Sequence, residues 1–393
     1  MRPDPAESDE NMAMSKLKLI RNRLVRNLSE RNFGPGMTDS MLFAYGAIST
    51  QKYLKCRSRI KKIERECARP ATGSGGRSQF DISKIVRIRE PLALISQIQR
   101  SGGSLLSQLF DNHPQVHAHP HELKIGFPKK YYWPRIDLGD SPRRWFLLLF
   151  EDIVLEHAKN GFKKGVKADT VHPFHFLPSL QKEIFLHYVN SAKPLHLRDV
   201  FDGYMTSYFN AWLNNGNLEG GGKKCVTGFT PRMAMFRENM DRFFEVYPDG
   251  KIISIVRDPK NWYPSASLHR PEQYGDISKA MRQWTRSIKA TIRNKEALGE
   301  SVCVIRFEDL ISDTEAAMTH LSGFLGIEYR DTLLSPTHNG SPISANTSFT
   351  LEKPKIIQST LDRYKTLRPE QLKTIESMTS DIYGTVLDKA VRL

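Results

Sequence analysis

The segment that most narrows what this chain can fold into lies between Leu92 and Phe110. A short apolar run, Leu92 to Ile98 (LALISQI), leads into Arg100-Ser-Gly-Gly-Ser104 and then Leu105-Leu-Ser-Gln-Leu-Phe110, whose apolar residues recur at helical spacing. This reads as a strand, a small-residue turn and a helix. At such a junction unpaired N–H groups converge where the helix dipole is positive, so a turn of small residues can close around an oxyanion. Arg100 would stand at its mouth and a hydroxyl would cap the helix. A plain structural turn fits the same letters. The Walker A pattern GxxxxGK[ST] is absent, which weakens ATPase and kinase readings.

The rest of the chain continues the alternation. Expected helices run from about Ser141, with Pro142 in its first turn, to His157, from Leu180 to Val189, from Met233 to Val246, and near 260–269 and 276–297. Two more are expected from Glu308 to Leu325 and from Pro369 to Tyr383. Strands are expected near Lys224 to Gly228, at Lys251 to Val256 and at Val302 to Phe307. Strands alternating with helices predict an α/β fold, a parallel sheet wrapped by helices, and no internal repeat is visible.

Composition matters here mainly through charge. The 393 residues carry a formal charge of +15, and residues 1–80, with 16 Lys+Arg and 8 Asp+Glu, hold +8 of it. The basic excess is therefore concentrated outside the segment that carries the chemistry. Residues 1–80 read as a basic helical arm (Leu17, Ile20, Leu24, Leu28, then Lys52 to Arg65) closed by a linker at Ala71–Ser78, and 81–393 as the α/β domain. A solvated arm and a surface for membrane or glycolipid both fit the basic run. The longest apolar run, Trp145 to Phe150, is too short for a membrane span. The amino-terminal stretch lacks the pattern of a secretory signal, so a cytoplasmic location is expected, with peripheral membrane contact through the arm. Four cysteines without a CxxC pair read as buried free thiols.

A second element gives the first its meaning. In Ile255-Val-Arg257-Asp-Pro-Lys-Asn-Trp-Tyr-Pro-Ser265 an Arg ends a strand and a Ser follows eight residues on in a helix. A third block, Val304-Ile-Arg-Phe-Glu-Asp-Leu310 followed by Phe324-Leu-Gly-Ile327, agrees with it. Together these resemble the PAPS-dependent sulfotransferase family. The resemblance runs from about residue 90 to 383 and includes His113-Pro114, Pro336-Thr-His-Asn-Gly340 and Ala345-Asn-Thr-Ser-Phe349. It implies a P-loop-like three-layer α/β sandwich with the cofactor at the carboxyl ends of the strands. It also implies sulfuryl transfer from PAPS (3'-phosphoadenosine 5'-phosphosulfate) to a hydroxyl or amine, releasing 3',5'-ADP, with no metal required. In that scheme Arg100, Ser101, Gly102, Gly103, Ser104 and Leu105 hold the 5'-phosphosulfate, Arg100 neutralises the leaving phosphate, and Arg257 and Ser265 hold the 3'-phosphate. Two departures from the family pattern stand out. Gly103 replaces a usual Ser or Thr, and Phe229 replaces a Lys common before the Thr-Pro pair. The missing cation would then be Lys124, Lys167 or Arg232.

Sulfuryl transfer needs a base for the acceptor proton. In relatives with a carboxylate base it follows the His-Pro by several residues, and here Ala118-His-Pro-His121-Glu122-Leu-Lys124 fills that place. Glu122 is the expected base and His121 the neighbour to test beside it; a salt bridge to Lys124 is the competing role for Glu122. His113, His117, His119 and His121 could suggest a metal, but no acidic or Cys ligand converges on them in the sequence, so none is expected. His172, His175, Tyr131, Tyr132 and Trp133 are either core residues or the wall of an acceptor cleft. The acceptor expected is a glycan, glycolipid or other small hydroxyl compound. Two rival classes remain: a nucleotide-dependent kinase, which would need a loop Lys and a Mg-binding Asp, and a basic nucleic-acid-binding protein, which would need base-reading motifs. Neither explains Arg257 with Ser265.

Overall fold

Four short apolar runs and one histidine-rich segment, β2, become the strands of one parallel sheet: β1 (Leu92–Ile95), β2 (Val116–Glu122), β3 (Cys225–Phe229), β4 (Lys251–Val256) and β5 (Val302–Arg306). Their order across the sheet is β2-β3-β1-β4-β5. β1 and β3 are buried along their whole length, as parallel strands covered on both faces must be. The computed structural model describes residues 50–68, 81–126, 132–163, 170–220, 222–343, 351–352, 355–356 and 361–393. The chain divides into two units, Met1–Arg69 and Pro70–Leu393. In the first, the described part is α1 (Thr50–Ala68), which contains the basic run Lys52 to Arg65. The stretch from Leu17 to Leu28 and the linker Ala71–Ser78 lie outside the described residues.

β1 is followed by α2 (Gly103–Leu109), which packs its leucines into the main core with Ile95, Phe229, Ile253 and Phe307. Because β1 is flanked by β3 on one side and β4 on the other, the chain leaves it toward one side and returns on the other, opening a crevice at its carboxyl end. The residues singled out in the sequence sit at or just past these carboxyl ends: Arg100 after β1, Glu122 closing β2, Phe229 closing β3 and Arg257 after β4.

Several expected elements differ in detail. The helix expected over 141–157 is two, α3 (Pro142–Leu149) and α4 (Ile153–Asn160), because Phe150 leaves helical geometry at ψ 132° and turns Glu151 into the interior. The one expected over 308–325 is also two, α10 (Phe307–Ser312) and α11 (Thr314–Leu325), the second capped by the Asp313 carboxylate accepting from Ala316 N–H. The helix expected from Met233 begins as a 3-10 turn and becomes α7 (Arg237–Val246). α5 (Pro178–Ser191), α8 (Pro259–His269), α9 (Ile277–Leu298) and α12 (Pro369–Leu387) lie where their periodicity puts them. α6 (Leu197–Ala211) has no counterpart in the sequence reading: residues 200–211 are buried without interruption, and its polar stripe, Asp202, Thr206 and Asn210, accepts from Tyr247 OH, Ile88 N–H and Val86 N–H instead of facing solvent. Among the described residues no helix is long and apolar enough to cross a membrane.

Candidate functional site

The loop after β1 is held from three directions. Trp262 Nε1 on α8 donates to Gln99 O at 2.8 Å, Arg257 Nη1 donates to Arg100 O at 2.9 Å, and Ile98 N–H donates to Ser287 Oγ on α9 at 3.1 Å. Arg100 and Gly102 both take positive φ, 68° and 98°. For Arg100 this is a strained conformation, tolerated because the surrounding bonds fix it. Gly102 is the N-cap of α2 and makes no side-chain cap bond, so the expected hydroxyl cap is not formed. The reason is steric: a Cβ at Gly102 would overlap the Phe307 ring. The first N–H groups of α2 have no acceptor within the helix, and the Ser101 hydroxyl is buried with no protein partner. A buried orphan hydroxyl beside a helix amino terminus fits an oxyanion.

The two motifs, more than 150 residues apart, meet here. Arg100 Nε donates to Ser265 Oγ at 3.2 Å. Ser265 and Arg257 are 1% and 2% exposed, and the Arg257 guanidinium lies 4.3 Å from the Phe307 ring centroid. Burial pulls the Arg100 guanidinium down to about 10, reinforced by the charge of Arg363. Burial likewise pulls Arg257 down to about 9, opposed by Glu308 and reinforced by Arg363 and Arg100. Arginine remains charged at neutral pH, so these shifts register repulsion among crowded, desolvated cations that a bound anion would relieve. Arg363, half-buried in the 3-10 turn before α12, is a residue the sequence reading missed. It sits in no motif, and only its return to the crevice from far along the chain marks it.

The two departures from the family pattern explain each other. A Cβ at Gly103 would overlap both the Phe229 ring and Gln97 Nε2. Glycine at 103 therefore makes the room that the phenylalanine at 229 occupies. Of the cations considered in place of the missing Lys, Lys124 pairs with Glu122 at 3.1 Å, Arg232 reaches Gln283 Oε1 at 3.5 Å, and Lys167 lies outside the described residues.

Glu122 closes β2 in register with Phe229, whose ring lies against Gly103 of the loop. The register shifts between Ala118 and Glu122, an irregularity around Pro120 that re-aims the strand end. Glu122 remains about one-third exposed at the carboxyl end of its strand. His121 is placed differently. Its Nδ1–H donates to Glu122 O at 3.0 Å, and its Nε2 accepts from the Tyr208 hydroxyl at 2.8 Å. Burial, with the charges of His119 and His157 adding to it, holds its ring well below the usual range.

Behind β2 the break between α3 and α4 delivers Glu151, 32 residues on from His119. Its carboxylate accepts from His119 Nε2 (3.0 Å), Tyr204 OH (3.1 Å) and Lys124 N–H (2.7 Å), while His119 Nδ1 faces His121 O at 2.9 Å. The expectation that no acidic residue converges on these histidines is thus corrected: His119, His121 and Glu151 place ligand atoms within 4.8 Å of one another. Those atoms already hydrogen-bond within the protein. His113 is a tie between loops, its Nε2 facing Glu328 O at 3.0 Å, and His117 packs on Phe209. Trp133 stacks on Phe201 in the core, His172 packs beside Phe162 and His338, His175 is exposed, and Tyr131 lies outside the described residues.

Among solved structures, the chain is similar to the sulfotransferase domain of the Synechococcus olefin synthase (18% identity, 78% of this chain and 97% of that one, TM-score 0.42). It is also similar to the sulfotransferase domain of the curacin biosynthetic pathway (18%, 75% and 99%, 0.41) and to a mouse sulfotransferase complexed with PAP (11%, 79% and 92%, 0.37). No curated protein matches the sequence. A family model described as "Sulfotransferase family" matches residues 91–331, which takes in the β1 loop, β2 with Glu122, the Arg257–Ser265 pair and β5, and on that match the chain belongs to the sulfotransferase family and is an enzyme of sulfuryl transfer.

Proposed function

We propose that the protein transfers a sulfuryl group from PAPS to a hydroxyl of a carbohydrate or glycolipid acceptor and releases 3',5'-ADP. The observation that carries this reading is the meeting of Arg100, Arg257 and Ser265 beside the amino terminus of α2, whose N-cap Gly102 offers no side-chain cap. PAPS would supply a sulfuryl group on a phosphate leaving group. Arg257 and Ser265 would bind its 3'-phosphate, with Arg363 adding charge. Ser101, the N–H groups of Gly102, Gly103, Ser104 and Leu105, and Arg100 would bind the 5' side. Arg100 then opposes the negative charge that grows on the leaving phosphate, where a preorganised donor acts most strongly.

Glu122 is the base in this reading, because among the candidates at the end of β2 it is the one whose carboxylate remains about one-third exposed. It takes the acceptor proton as the new S–O bond forms, with its neighbour Lys124 paired to it at 3.1 Å. His121, with its basic nitrogen taken by Tyr208, holds the strand end in place. Glu122→Gln keeps the shape and removes the basicity. It should bind 3',5'-ADP like the wild type in calorimetry and lose about 10²–10⁴ in turnover with labelled PAPS and a glycolipid panel. Near-normal turnover would move the base elsewhere, and equal affinity for 3',5'-ADP and 5'-AMP would sink the donor assignment.

A further inference from the structure

On the face of α9 turned away from the donor loop the structure holds a cleft of about 860 Å³, lined by α9, the start of α7, Tyr132 and Met378 of α12. Five cations line it, Arg237, Arg282, Arg286, Lys289 and Arg293, against one carboxylate, Glu238, which is itself paired with Arg242. Arg282, Arg286 and Lys289 have no ion pair among the described residues, and Arg237 reaches Asp241 only at 3.9 Å on the open surface. Arg282, Arg286, Lys289 and Arg293 follow one another at i, i+4, i+7 and i+11, a ladder about 16 Å long on one helix face. Arg293 is held in place by the buried Asn294, whose Oδ1 accepts from its Nε at 3.3 Å and Nη2 at 3.0 Å while Nδ2 donates to Ala234 O at 2.8 Å. Burial, and then the charge of Arg237, draws the Arg293 guanidinium downward. The protein thus lines up positive charges and supplies almost no negative ones.

The cleft adjoins the reaction crevice through the backbone. Arg232 N–H donates to Gln97 O at 2.8 Å and Ala234 N–H to Ser96 Oγ at 2.9 Å, and the next residues, Met235 and Phe236, are cleft wall. On its other face α9 touches the donor side, Trp284 Nε1 donating to Arg257 O at 3.1 Å. One helix therefore separates the ladder from the donor cluster. A ligand filling the cleft must be extended to reach both. Its aromatic rings are engaged within the protein, Tyr132 stacked on Phe236 at 5.0 Å and Arg286 over Phe236 at 5.2 Å, so they form no open platform for nucleic-acid bases.

We propose that this cleft binds the anionic stretch of an acidic glycan acceptor, one that already carries sulfate or carboxylate groups, while a free hydroxyl further along the chain meets the donor. This rests on the reading of the protein as a glycan sulfotransferase. The ladder fits repeated anions, and the methionine and ring edges fit the C–H faces of sugars.

Calorimetry with a size-defined dextran sulfate oligosaccharide tests it, with unsulfated dextran of equal length and a single-stranded RNA of equal charge as the other arms, and with 3',5'-ADP measured in parallel. The wild type should bind dextran sulfate, ignore dextran and bind the RNA more weakly. The double variant Arg286→Ser, Lys289→Ser should lose about tenfold in dextran sulfate affinity, with a shallower salt dependence, and bind 3',5'-ADP unchanged. Both positions are exposed, and an unchanged melting temperature would confirm that the fold is intact. Equal dextran sulfate affinity in the variant would overturn the assignment, placing the binding on other basic surface, and RNA binding as tight as dextran sulfate would overturn the glycan. If the wild type itself fails to bind 3',5'-ADP, the donor-site reading falls instead, and the dextran sulfate arms still report on the cleft.

Discussion

The carboxyl edge of the sheet carries two polar clusters with opposite accounting. Around Arg100, Arg257 and Ser265, guanidiniums crowd together, a hydroxyl at Ser101 is buried without a partner, and the helix amino terminus is uncapped. Behind β2, Glu151 receives three donors and His121 has a partner on each ring nitrogen. On the proposed reading the first cluster binds the donor, while the bonds among Glu151, His119, Tyr204, His121 and Tyr208 hold the end of the strand that faces it.

Four changes should separate the two clusters, from the largest effect down. Glu151→Ala leaves His119, Tyr204 and Lys124 N–H without their acceptor, so it should cost about 3–5 kcal/mol in denaturant unfolding while the folded fraction keeps its 3',5'-ADP affinity. A loss of nucleotide binding with stability intact would erase the distinction. Arg257→Ala should do the reverse: lose about 1.5–3 kcal/mol in 3',5'-ADP affinity by calorimetry, erase the preference over 5'-AMP, and change unfolding far less. Substitution of both Gly103→Ser and Phe229→Ala should cost less than the sum of the two singles, each of which overfills or empties the same space by about 1–3 kcal/mol or more. Additive costs would break the link between the two departures.

The effect of any single group is smallest in pH. Burial draws His117 down to about 3 and His157 to about 4, and His121 is also lowered. Between those values and about 6.5 the unfolded chain binds more protons, so stability falls as pH drops below about 6.5, by up to about 1.4 kcal/mol per pH unit for each histidine. Asp202, pushed up to about 7 by burial, takes up its proton in the folded state and works the other way over part of that range, as do Asp111, Asp140 and Glu308, all raised by burial. His113, His172 and His269, also lowered by burial, add to the histidine side. Unfolding midpoints measured from pH 7.5 to 5 should therefore decline, and His117→Asn should flatten the decline by about one proton; an unchanged slope would remove His117 from the account.

What the sequence determined by itself is local. Each sheet strand except β2 was legible as an apolar run, and the β1 loop and the Arg257–Ser265 pair stood out as candidates because the parts of each lie within a dozen residues, where strand and helix geometry fix relative positions. Glu122 stood out as a candidate only by its interval from His113-Pro114. The tertiary structure decided the rest. Arg363 and Glu151 reach their clusters from distant segments, α6 buries its polar stripe instead of facing it to solvent, and Gly103 makes sense only against the ring of Phe229. The physical reason is common to all of these. Periodicity and turn chemistry act over a few residues, whereas the convergence of side chains, and whether a buried polar group finds its partner, is set by how whole layers pack across separations that no local pattern encodes.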